Sequence, residues 1–449
     1  MRFAITSYLI ALAAARDPFQ DMEGVQTLSY LHTTQLQTHT LVGYWHDFEN
    51  PSGPTYPLSQ VSPDWDVVVV AFGTNRGNGN VGFDLDPKAR SEDDFIRDIA
   101  SLQAAGKKVV LSLGGQDGSV SLANDMERAN FVDSVYGLLR KFGFDGIDLD
   151  LESGVSQGLP IINNIIVAVK QIRQRIGPSF YLSMAPEHPY VQGGYGAYGS
   201  IWGAYLPIID GLRNELSILH VQYYNNGGFV YTDGRMINEG TVDCLVGGSI
   251  MLMDGFRVNY GQGWHFRGLR PDQVAFGVPS GPRSAGRGFV TSETVHRALT
   301  CLAHGDGCES IKPVRTYPTF RGVMTWSINW DRFDHYSFSR PARKALDSLG
   351  NVDYEPPVYI EPQVIISTDT PPSISTKKSN DLCGNCNNCY FSLKHALTDG
   401  PQTNAAPTVH LHGVVSHNSE VFISSAEIML HQTINLSKLK QCRHALGRS

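Results

Sequence analysis

The 449-residue chain has little charge, no excess of basic residues and no cysteine in its first half. Only 18% of the residues are charged, and 36 Lys and Arg against 43 Asp and Glu give a formal net charge of -7. This charge gives no reason to expect a polyanionic partner, so nucleic-acid binding is excluded from the expected functions. Beyond the first residues, no apolar run is long enough to span a bilayer, and we expect no membrane-spanning helix.

The first 15 residues have the pattern of a secretory signal peptide. Met1 and Arg2 precede the apolar stretch 3–12, and three alanines follow at 13–15 as a small-residue cleavage site. We therefore expect residues 1–15 to be a signal peptide, residues 16–38 to be an N-terminal extension, and the protein to be secreted and extracellular.

All seven cysteines lie in the second half of the chain. Cys301 and Cys308 flank a Gly-rich turn and could close a small disulfide loop in an exported protein. A zinc site is the alternative fate of the remaining C-terminal cysteines, which are Cys383, Cys386, Cys389 and Cys442. Because oxidation is the simpler fate outside the cell, we expect a disulfide between Cys301 and Cys308 and no metal.

Apolar runs typical of strands alternate with helical patterns through residue 350. The strand-like runs are residues 40–44, 67–72, 109–113, 145–151, 180–185, 218–224, 274–278 and 322–328. The helical patterns include residues 92–105, 129–142, 159–175 and 292–303. This alternation over about 310 residues predicts an α/β fold, a (β/α)8 TIM barrel at residues 39–350, with catalytic residues at the carboxyl ends of its strands.

The chain changes character after the predicted barrel. Residues 351–379 are rich in Pro, Ser and Thr, which is typical of a linker. Residues 380–449 form a Cys-containing tail whose fold and purpose the sequence does not indicate. A small binding module, an anchor and a stretch that never orders are the alternatives.

Three acidic residues at alternate positions end the fourth predicted strand. In an extended chain, Asp148, Asp150 and Glu152 share one face, with α-carbons about 6.6 Å apart. Crowded carboxyl groups share protons and raise at least one pKa, which provides a proton donor near neutral pH. This spacing predicts a general acid. Oxygen ligands of a magnesium or calcium ion are the alternative interpretation.

Motifs at three strand ends make a family resemblance specific. Residues 145–152, DGIDLDLE, match the D-G-x-D-x-D-x-E pattern of glycoside hydrolase family 18, the chitinases and their relatives. Residues 112–115, SLGG, resemble the S-x-G-G motif of that family, and residues 222–225, QYYN, resemble its Q-x-Y-N motif. The residues with structural roles in these motifs are Asp145, Gly146, Ser112, Gly114 and Gly115. The resemblance runs from residue 41 to residue 349.

The resemblance implies a retaining hydrolysis in which the substrate supplies the nucleophile. Glu152 would protonate the glycosidic oxygen while the N-acetyl carbonyl oxygen attacks the anomeric carbon and forms an oxazolinium ion. Asp150 would bind the acetamido N–H, and Asp148 would hold the shared proton. Tyr224 would donate its hydroxyl to the acetamido oxygen.

The resemblance also implies a set of sugar contacts. Trp326, on the eighth strand, would form the floor of the sugar site. The other expected substrate-binding residues are Gln222, Asn225, Met184, Tyr44 and Phe72. Tyr44 and Phe72 are as well suited to packing as to touching the sugar.

The expected function is an endo-acting chitinase that acts as a monomer on chitin or N-acetylglucosamine oligosaccharides without a cofactor. Only residues 279–321 separate the last two strands, which leaves no room for an inserted α+β domain, so we expect a shallow, open cleft. An endo-β-N-acetylglucosaminidase acting on N-glycans and a chitin-binding lectin are the alternatives. Further candidates for sugar stacking are Trp45, Tyr190, Tyr195, Trp202, Trp264 and Trp330.

Overall fold

The computed structural model describes residues 36–197, 199–260, 263–350 and 352, and the strands Cys389–Ser392, His412–Val415 and Val421–Ile423. The chain divides into two compact units, Met1–Glu361 and Pro362–Ser449. The predicted signal peptide and nearly all of the predicted linker lie outside the described residues. So do three of the four cysteines proposed for the zinc alternative.

Eight parallel strands of the first unit form a closed barrel. Each strand pairs with the next in chain order, and the first strand also pairs with the eighth. The strands are β1 (Thr40–His46), β2 (Val67–Gly77), β3 (Lys108–Gly114), β4 (Gly146–Asp150), β5 (Tyr181–Met184), β6 (Ile218–Gln222), β7 (Val274–Pro279) and β8 (Gly322–Trp326). The predicted TIM barrel is confirmed.

Helices cover the outside of the barrel. They are α1 (Glu92–Ala104), α2 (Asp125–Phe142), α3 (Ile161–Ile176), α4 (Gly193–Gly196), α5 (Leu206–Gly211), α6 (Val242–Asp254), α7 (Ser292–His304), α8 (Ile328–Phe333) and α9 (Ser339–Ser348). Between β1 and β2 the chain forms the short 3-10 helix Leu58–Gln60, and α9 packs against β1. Helix α2 begins four residues before the predicted start, because Asn124 caps it by accepting a hydrogen bond from the Glu127 amide.

Short antiparallel hairpins extend the loops at several places. The end of β2 pairs with Asn80–Gly82, Gly228–Val230 pairs with Met236–Asn238, and Gly255–Arg257 pairs with His265–Arg267. In the second unit, Cys389–Ser392, His412–Val415 and Val421–Ile423 form an antiparallel sheet in chain order.

Side chains of the barrel strands alternate between two apolar layers. One layer fills the barrel interior and includes Val42, Val69, Val110, Ile218 and Ala275. The intervening residues join a larger cluster that packs against the helices. This alternation decides which side chains at each strand end can reach the barrel mouth.

The predicted disulfide between Cys301 and Cys308 is present, with α-carbons 4.9 Å apart at the end of α7. Cys244 is a buried free thiol. Within the described residues, no helix is long and apolar enough to cross a membrane.

Candidate active site

A cavity of about 430 Å³ lies at the carboxyl ends of the barrel strands. Its lining includes the predicted residues Tyr44, Phe72, Gly114, Asp150, Glu152, Gln222, Tyr224, Asn225 and Trp326. The rest of the cavity lining was not predicted from the sequence and consists of Phe48, Thr74, Gln116, Asp117, Gly118 and Ser284. The fold therefore brings most of the predicted site together at the end of the barrel where catalytic groups are expected.

Asp148 lies inside the barrel below this cavity and is fully buried. Its Oδ2 accepts hydrogen bonds from the Tyr44 hydroxyl at 2.6 Å and the Ser112 hydroxyl at 2.8 Å, and its Oδ1 accepts one from the Ser183 hydroxyl at 2.7 Å. The His220 Nε2 is 3.6 Å from Oδ1, beyond good hydrogen-bonding distance. These three donors occupy the carboxyl oxygens, which argues against Asp148 as a metal ligand.

Ser183 and His220 are two residues around Asp148 that were not predicted from the sequence. Ser183 lies directly beside Asp148 in the register of β4 and β5, and His220 is two residues before Gln222 on β6. Because residues two apart on a strand share a face, counting positions from Asp148 and Gln222 would have placed both in the barrel interior. Burial lowers the pKa of His220, so its imidazole is neutral at neutral pH.

The Gln222 side chain connects Asp150 with Glu152. Its Nε2 lies 2.8 Å from Asp150 Oδ1, 3.0 Å from Glu152 Oε1 and 2.7 Å from the Ala185 carbonyl oxygen. The Tyr190 hydroxyl donates to the Glu152 carbonyl oxygen at 2.7 Å. Both the carboxyl group and the backbone of Glu152 are therefore held in place. The bond made by Tyr190 gives it a role other than the proposed sugar stacking.

Burial increases along the acidic series from the surface inward. Asp150 is 4% exposed, whereas Glu152 is only partly buried and begins the loop after β4. Burial raises the pKa of Asp150 well above its usual range, and the nearby charges of Glu152 and Asp148 raise it further. Burial also raises the pKa of Glu152, and the charges of Glu187 and Asp117 add to this effect. The pair can hold a proton near neutral pH.

Tyr224 and Asn225 form the wall of the cavity after β6. Burial and the charges of Glu152 and Asp150 raise the pKa of Tyr224 well above its usual range, so its hydroxyl remains a hydrogen-bond donor. Asn225 has a positive φ of 67°, and its Oδ1 accepts a hydrogen bond from the Gly286 amide at 2.9 Å. Asn225 therefore joins this wall to the loop after β7.

Trp326 lies against a stack of aromatic rings. Its ring is nearly parallel to that of Phe72, with centroids 5.9 Å apart, and it also stacks with His46 at 5.5 Å. Phe48, which is 37% exposed, stacks with Phe72 and with His46. The floor is thus a group of rings from the ends of three strands, fixed by mutual packing.

The motif glycines allow close backbone contacts around the acids. A side chain at Gly114 would have its Cβ 2.2 Å from the Asp150 carbonyl oxygen, and one at Gly146 would approach the Tyr181 carbonyl oxygen to 1.9 Å. Gly115, at a φ of 79°, donates its amide to the Asp150 carbonyl oxygen at 2.7 Å. These glycines bring β3, β4 and β5 together.

Asp145 serves the opposite end of β4. Its Oδ2 accepts hydrogen bonds from the Val109 amide at 2.8 Å and the Gln103 side chain at 2.9 Å, and its Oδ1 is 2.9 Å from Lys108 Nζ. These contacts fix the start of the strand, away from the cavity.

Met184, predicted as a substrate-binding residue, is not among the residues that line the cavity. It is fully buried in the layer between barrel and helices, because its neighbour Ser183 occupies the inward position of β5. Trp45 faces the same outer layer, where it packs against Phe95 and Tyr56. Met184 was predicted as a sugar contact from the motif alone. The alternation of inward and outward side chains along β5 places it on the outer face of the strand.

Comparison with known proteins places the chain in a family. The family model described as glycosyl hydrolases family 18 matches residues 40–238. Chitinase Chi52 of Paenibacillus xylanexedens is 40% identical over 336 residues, covering 72% of this chain and 64% of the relative. A probable class II chitinase of Arthroderma benhamiae is 40% identical over 317 residues, covering 65% of this chain and 95% of the relative.

A solved structure shows the same likeness. A family GH18 chitinase from Chromobacterium violaceum is 63% identical, with a TM-score of 0.68, and the match covers 69% of this chain and 84% of that one. The chain spans 64% of the length of Chi52 and of Chitinase D from Niallia circulans. The predicted family is confirmed, and the chain belongs to glycoside hydrolase family 18.

Proposed function

We propose that the protein is an endo-acting chitinase that hydrolyses β-1,4-linked N-acetylglucosamine with retention of configuration. The observation that carries this proposal is the series Asp148, Asp150 and Glu152, which rises from the barrel interior to the cavity and ends on a partly exposed acid. The relatives described above carry the name chitinase, which supports the same substrate class.

Glu152 acts as the general acid and base in this proposal. Its raised pKa supports a protonated carboxyl group in the resting enzyme, and Gln222 holds the group at the cavity wall. Glu152 gives its proton to the glycosidic oxygen as the bond to the leaving sugar breaks. It then removes a proton from the water molecule that opens the oxazolinium ion.

The substrate's own acetamido group is the nucleophile. Its carbonyl oxygen attacks the anomeric carbon, while Asp150 accepts a hydrogen bond from the acetamido N–H and stabilises the positive charge that develops. Tyr224, which lines the cavity beside Asp150, donates its hydroxyl to the acetamido oxygen. Asp148, held by three donors, lies beneath Asp150 and holds the proton that the two carboxyl groups share.

The ring stack beneath the cavity supports binding of a sugar face. Trp326 presents an indole face that packs against Phe72 and His46. Because this packing already fixes the ring, sugar binding costs little side-chain conformational entropy. The apolar face of a pyranose packs on such a surface and excludes water from the reacting bond.

The loops support attack within a polymer. Between β7 and β8 the chain forms α7 and connecting loops, with no inserted α+β domain among residues 280–321, all of which are described. One wall of the cavity is therefore low, and a long chain could cross the site without threading. We include the endo mode in the proposal on this basis.

We also propose that the protein is secreted, acts as a monomer and binds chitin through the cavity. The signal-like residues 1–15 support secretion, and the disulfide between Cys301 and Cys308 suits an oxidising compartment.

The test compares the purified chain with its Glu152→Gln variant on colloidal chitin, with products separated by size and anomer. We expect short β-anomeric oligomers from the wild type and a loss of activity by several orders of magnitude in the variant, because Gln cannot donate the proton. Glu152→Gln keeps the size and the contact with Gln222. Unchanged folding, followed by circular dichroism, is the control.

Two other results would replace this proposal. Equal binding of chitin by both proteins without any hydrolysis would indicate a lectin. Cleavage of a high-mannose glycoprotein in preference to soluble chitin oligomers would indicate an endo-β-N-acetylglucosaminidase.

A further inference from the structure

A network of charged and amide side chains lies behind the Tyr224–Asn225 wall, outside the cavity. Asn226 is its centre: its Nδ2 donates to Glu187 Oε1 at 2.6 Å and to the Tyr224 carbonyl oxygen at 3.1 Å, and its backbone amide donates to Glu239 Oε1 at 2.7 Å. One residue therefore connects the loops after β5 and β6 with the hairpin that precedes α6.

Glu239 anchors this network from below. Its side chain is 1% exposed, its Oε1 is 3.1 Å from His188 Nε2, and its Oε2 is 3.3 Å from Arg287 Nε. Burial alone would raise the pKa of Glu239, but the hydrogen bonds from His188 and from the Asn226 amide lower it overall. An ionised Glu239 thus holds Asn226 firmly from one side.

Glu187 holds Asn226 from the other side and lies close to the reacting acids. It follows β5 and forms an isolated parallel bridge with Gln222, the residue whose side chain contacts Asp150 and Glu152. Glu187 is not among the residues that line the cavity, whereas Gln222 and Tyr224, which it contacts directly or through Asn226, are.

We propose that Glu187 is a positioning residue of this active site. Its carboxylate fixes Asn226, and through it the Tyr224–Asn225 wall, and it places a fixed negative charge beside Glu152. Only the description of this site as an active site rests on the proposed function, because the effect of Glu187 on the proton of Glu152 does not require hydrolysis.

The charge environment of Glu152 agrees with this role. The ionisable groups that face Glu152 are Asp150 on β4, Asp117 after β3, Glu187 and Tyr190 after β5, and Tyr224 after β6. None of these is a cation. The charges of Glu187 and Asp117 both raise the pKa of Glu152, and removal of either should lower it.

The first experiment is a pH–rate profile on a soluble chitin oligosaccharide for the wild type, Glu187→Gln and Glu187→Ala. Glu187→Gln keeps an oxygen acceptor for Asn226 and removes only the charge. We expect its alkaline limb to move to lower pH by about half a unit, and activity on that limb to fall about threefold. Glu187→Ala should show the same shift and, because Asn226 is released, a lower kcat across the whole range. Asp306→Asn, an exposed carboxyl group at the turn after α7, is the control and should leave the profile unchanged.

The second experiment does not need catalysis. The carboxyl carbons of glutamate are labelled with ¹³C, the Glu152 resonance is assigned by its loss in Glu152→Gln, and its titration is followed by NMR. We expect a lower midpoint in Glu187→Gln than in the wild type. An unchanged midpoint overturns the inference, whether or not the protein hydrolyses chitin. A shifted midpoint in a protein without hydrolytic activity would overturn the proposed function and leave the inference standing.

Discussion

The hydrogen bond between Tyr44 and Asp148 can be removed with almost no change in packing. Tyr44→Phe deletes one hydroxyl and keeps the ring, which contacts Phe72, Trp326 and His220. Tyr44 is 2% exposed, so water cannot easily replace the lost donor. The substitution therefore isolates the contribution of one buried bond to an acidic side chain.

The expected cost follows from the kind of bond. The hydroxyl lies 2.6 Å from Asp148 Oδ2, and burial together with the charge of Asp148 raises the pKa of Tyr44, so the phenol remains a donor. A hydrogen bond to a charged group contributes about 1.5–3 kcal/mol, against about 0.5–1.5 kcal/mol for a neutral pair. Because Oδ2 keeps its bond from Ser112, we expect the free energy of unfolding to fall by about 2 kcal/mol.

Tyr205→Phe is the matched comparison. Tyr205 is fully buried, and its hydroxyl donates at 3.0 Å to the Leu149 carbonyl oxygen, which is a neutral acceptor. Urea unfolding of the wild type and both variants, at one pH and with equal m-values, should show Tyr44→Phe less stable than Tyr205→Phe by about 1 kcal/mol. Activity on chitin oligomers should fall in Tyr44→Phe through kcat, because Asp148 loses a donor that stabilises its negative charge.

Equal stability losses in the two variants would refute the reasoning, since the charge of Asp148 would then add nothing to the bond. A Tyr44→Phe variant with normal kcat would show that turnover does not depend on this hydrogen bond. A change in m-value would instead indicate an altered unfolded or folded state and would require a second pair of variants.

Two further predictions concern groups outside the acidic series. The disulfide between Cys301 and Cys308 closes a loop with a sequence separation of 7, so replacement of both by Ser should lower the free energy of unfolding by about 2.5 kcal/mol in a urea titration and leave chitin hydrolysis unchanged. Burial raises the pKa of Asp47 from 3.8 to about 7, so the folded chain keeps a proton that the unfolded chain releases, and stability from this group falls as pH rises through that interval. Asp47→Asn should make the urea midpoint less dependent on pH, and an equal slope in wild type and variant would contradict this.

Much of the fold follows from local sequence pattern. The barrel strands are apolar runs bounded by polar turns. For the predicted strand 67–72, the start is correct and the end is wrong, because β2 continues to Gly77. Residues 74–76 are polar because they leave the barrel and pair with Asn80–Gly82 in a solvent-exposed hairpin. Because this part of the strand is polar on both faces, it lacks the alternation of apolar and polar residues from which a strand is predicted.

The candidate site was predictable where motif and strand period agree. Asp148 and Asp150 share a face, and so do His220 and Gln222, because β4 and β6 are regular to their ends. For Met184 the motif predicted a sugar contact, but the two-residue period of β5 gives the inward position to Ser183. The contacts of Asn226 with Glu187 and Glu239 join loops that no periodicity connects, and only the folded chain brings them together.

In the proposed mechanism, the order of burial in the acidic series explains why the general acid is the last of the three. Asp148 is enclosed by three hydroxyl donors below the cavity. Asp150 lines the cavity but binds the acetamido group in the proposed mechanism, so neither residue donates to the glycosidic oxygen. Glu152 is partly exposed, yet burial and the charges of Glu187 and Asp117 raise its pKa. The charges of Glu152 and Asp148 in turn raise the pKa of Asp150, which lies between them in the chain, about 6.6 Å per two residues of extended strand. Moving the acid one residue along the chain would turn it toward the helices, and moving it two residues inward would place it at the more buried position of Asp150.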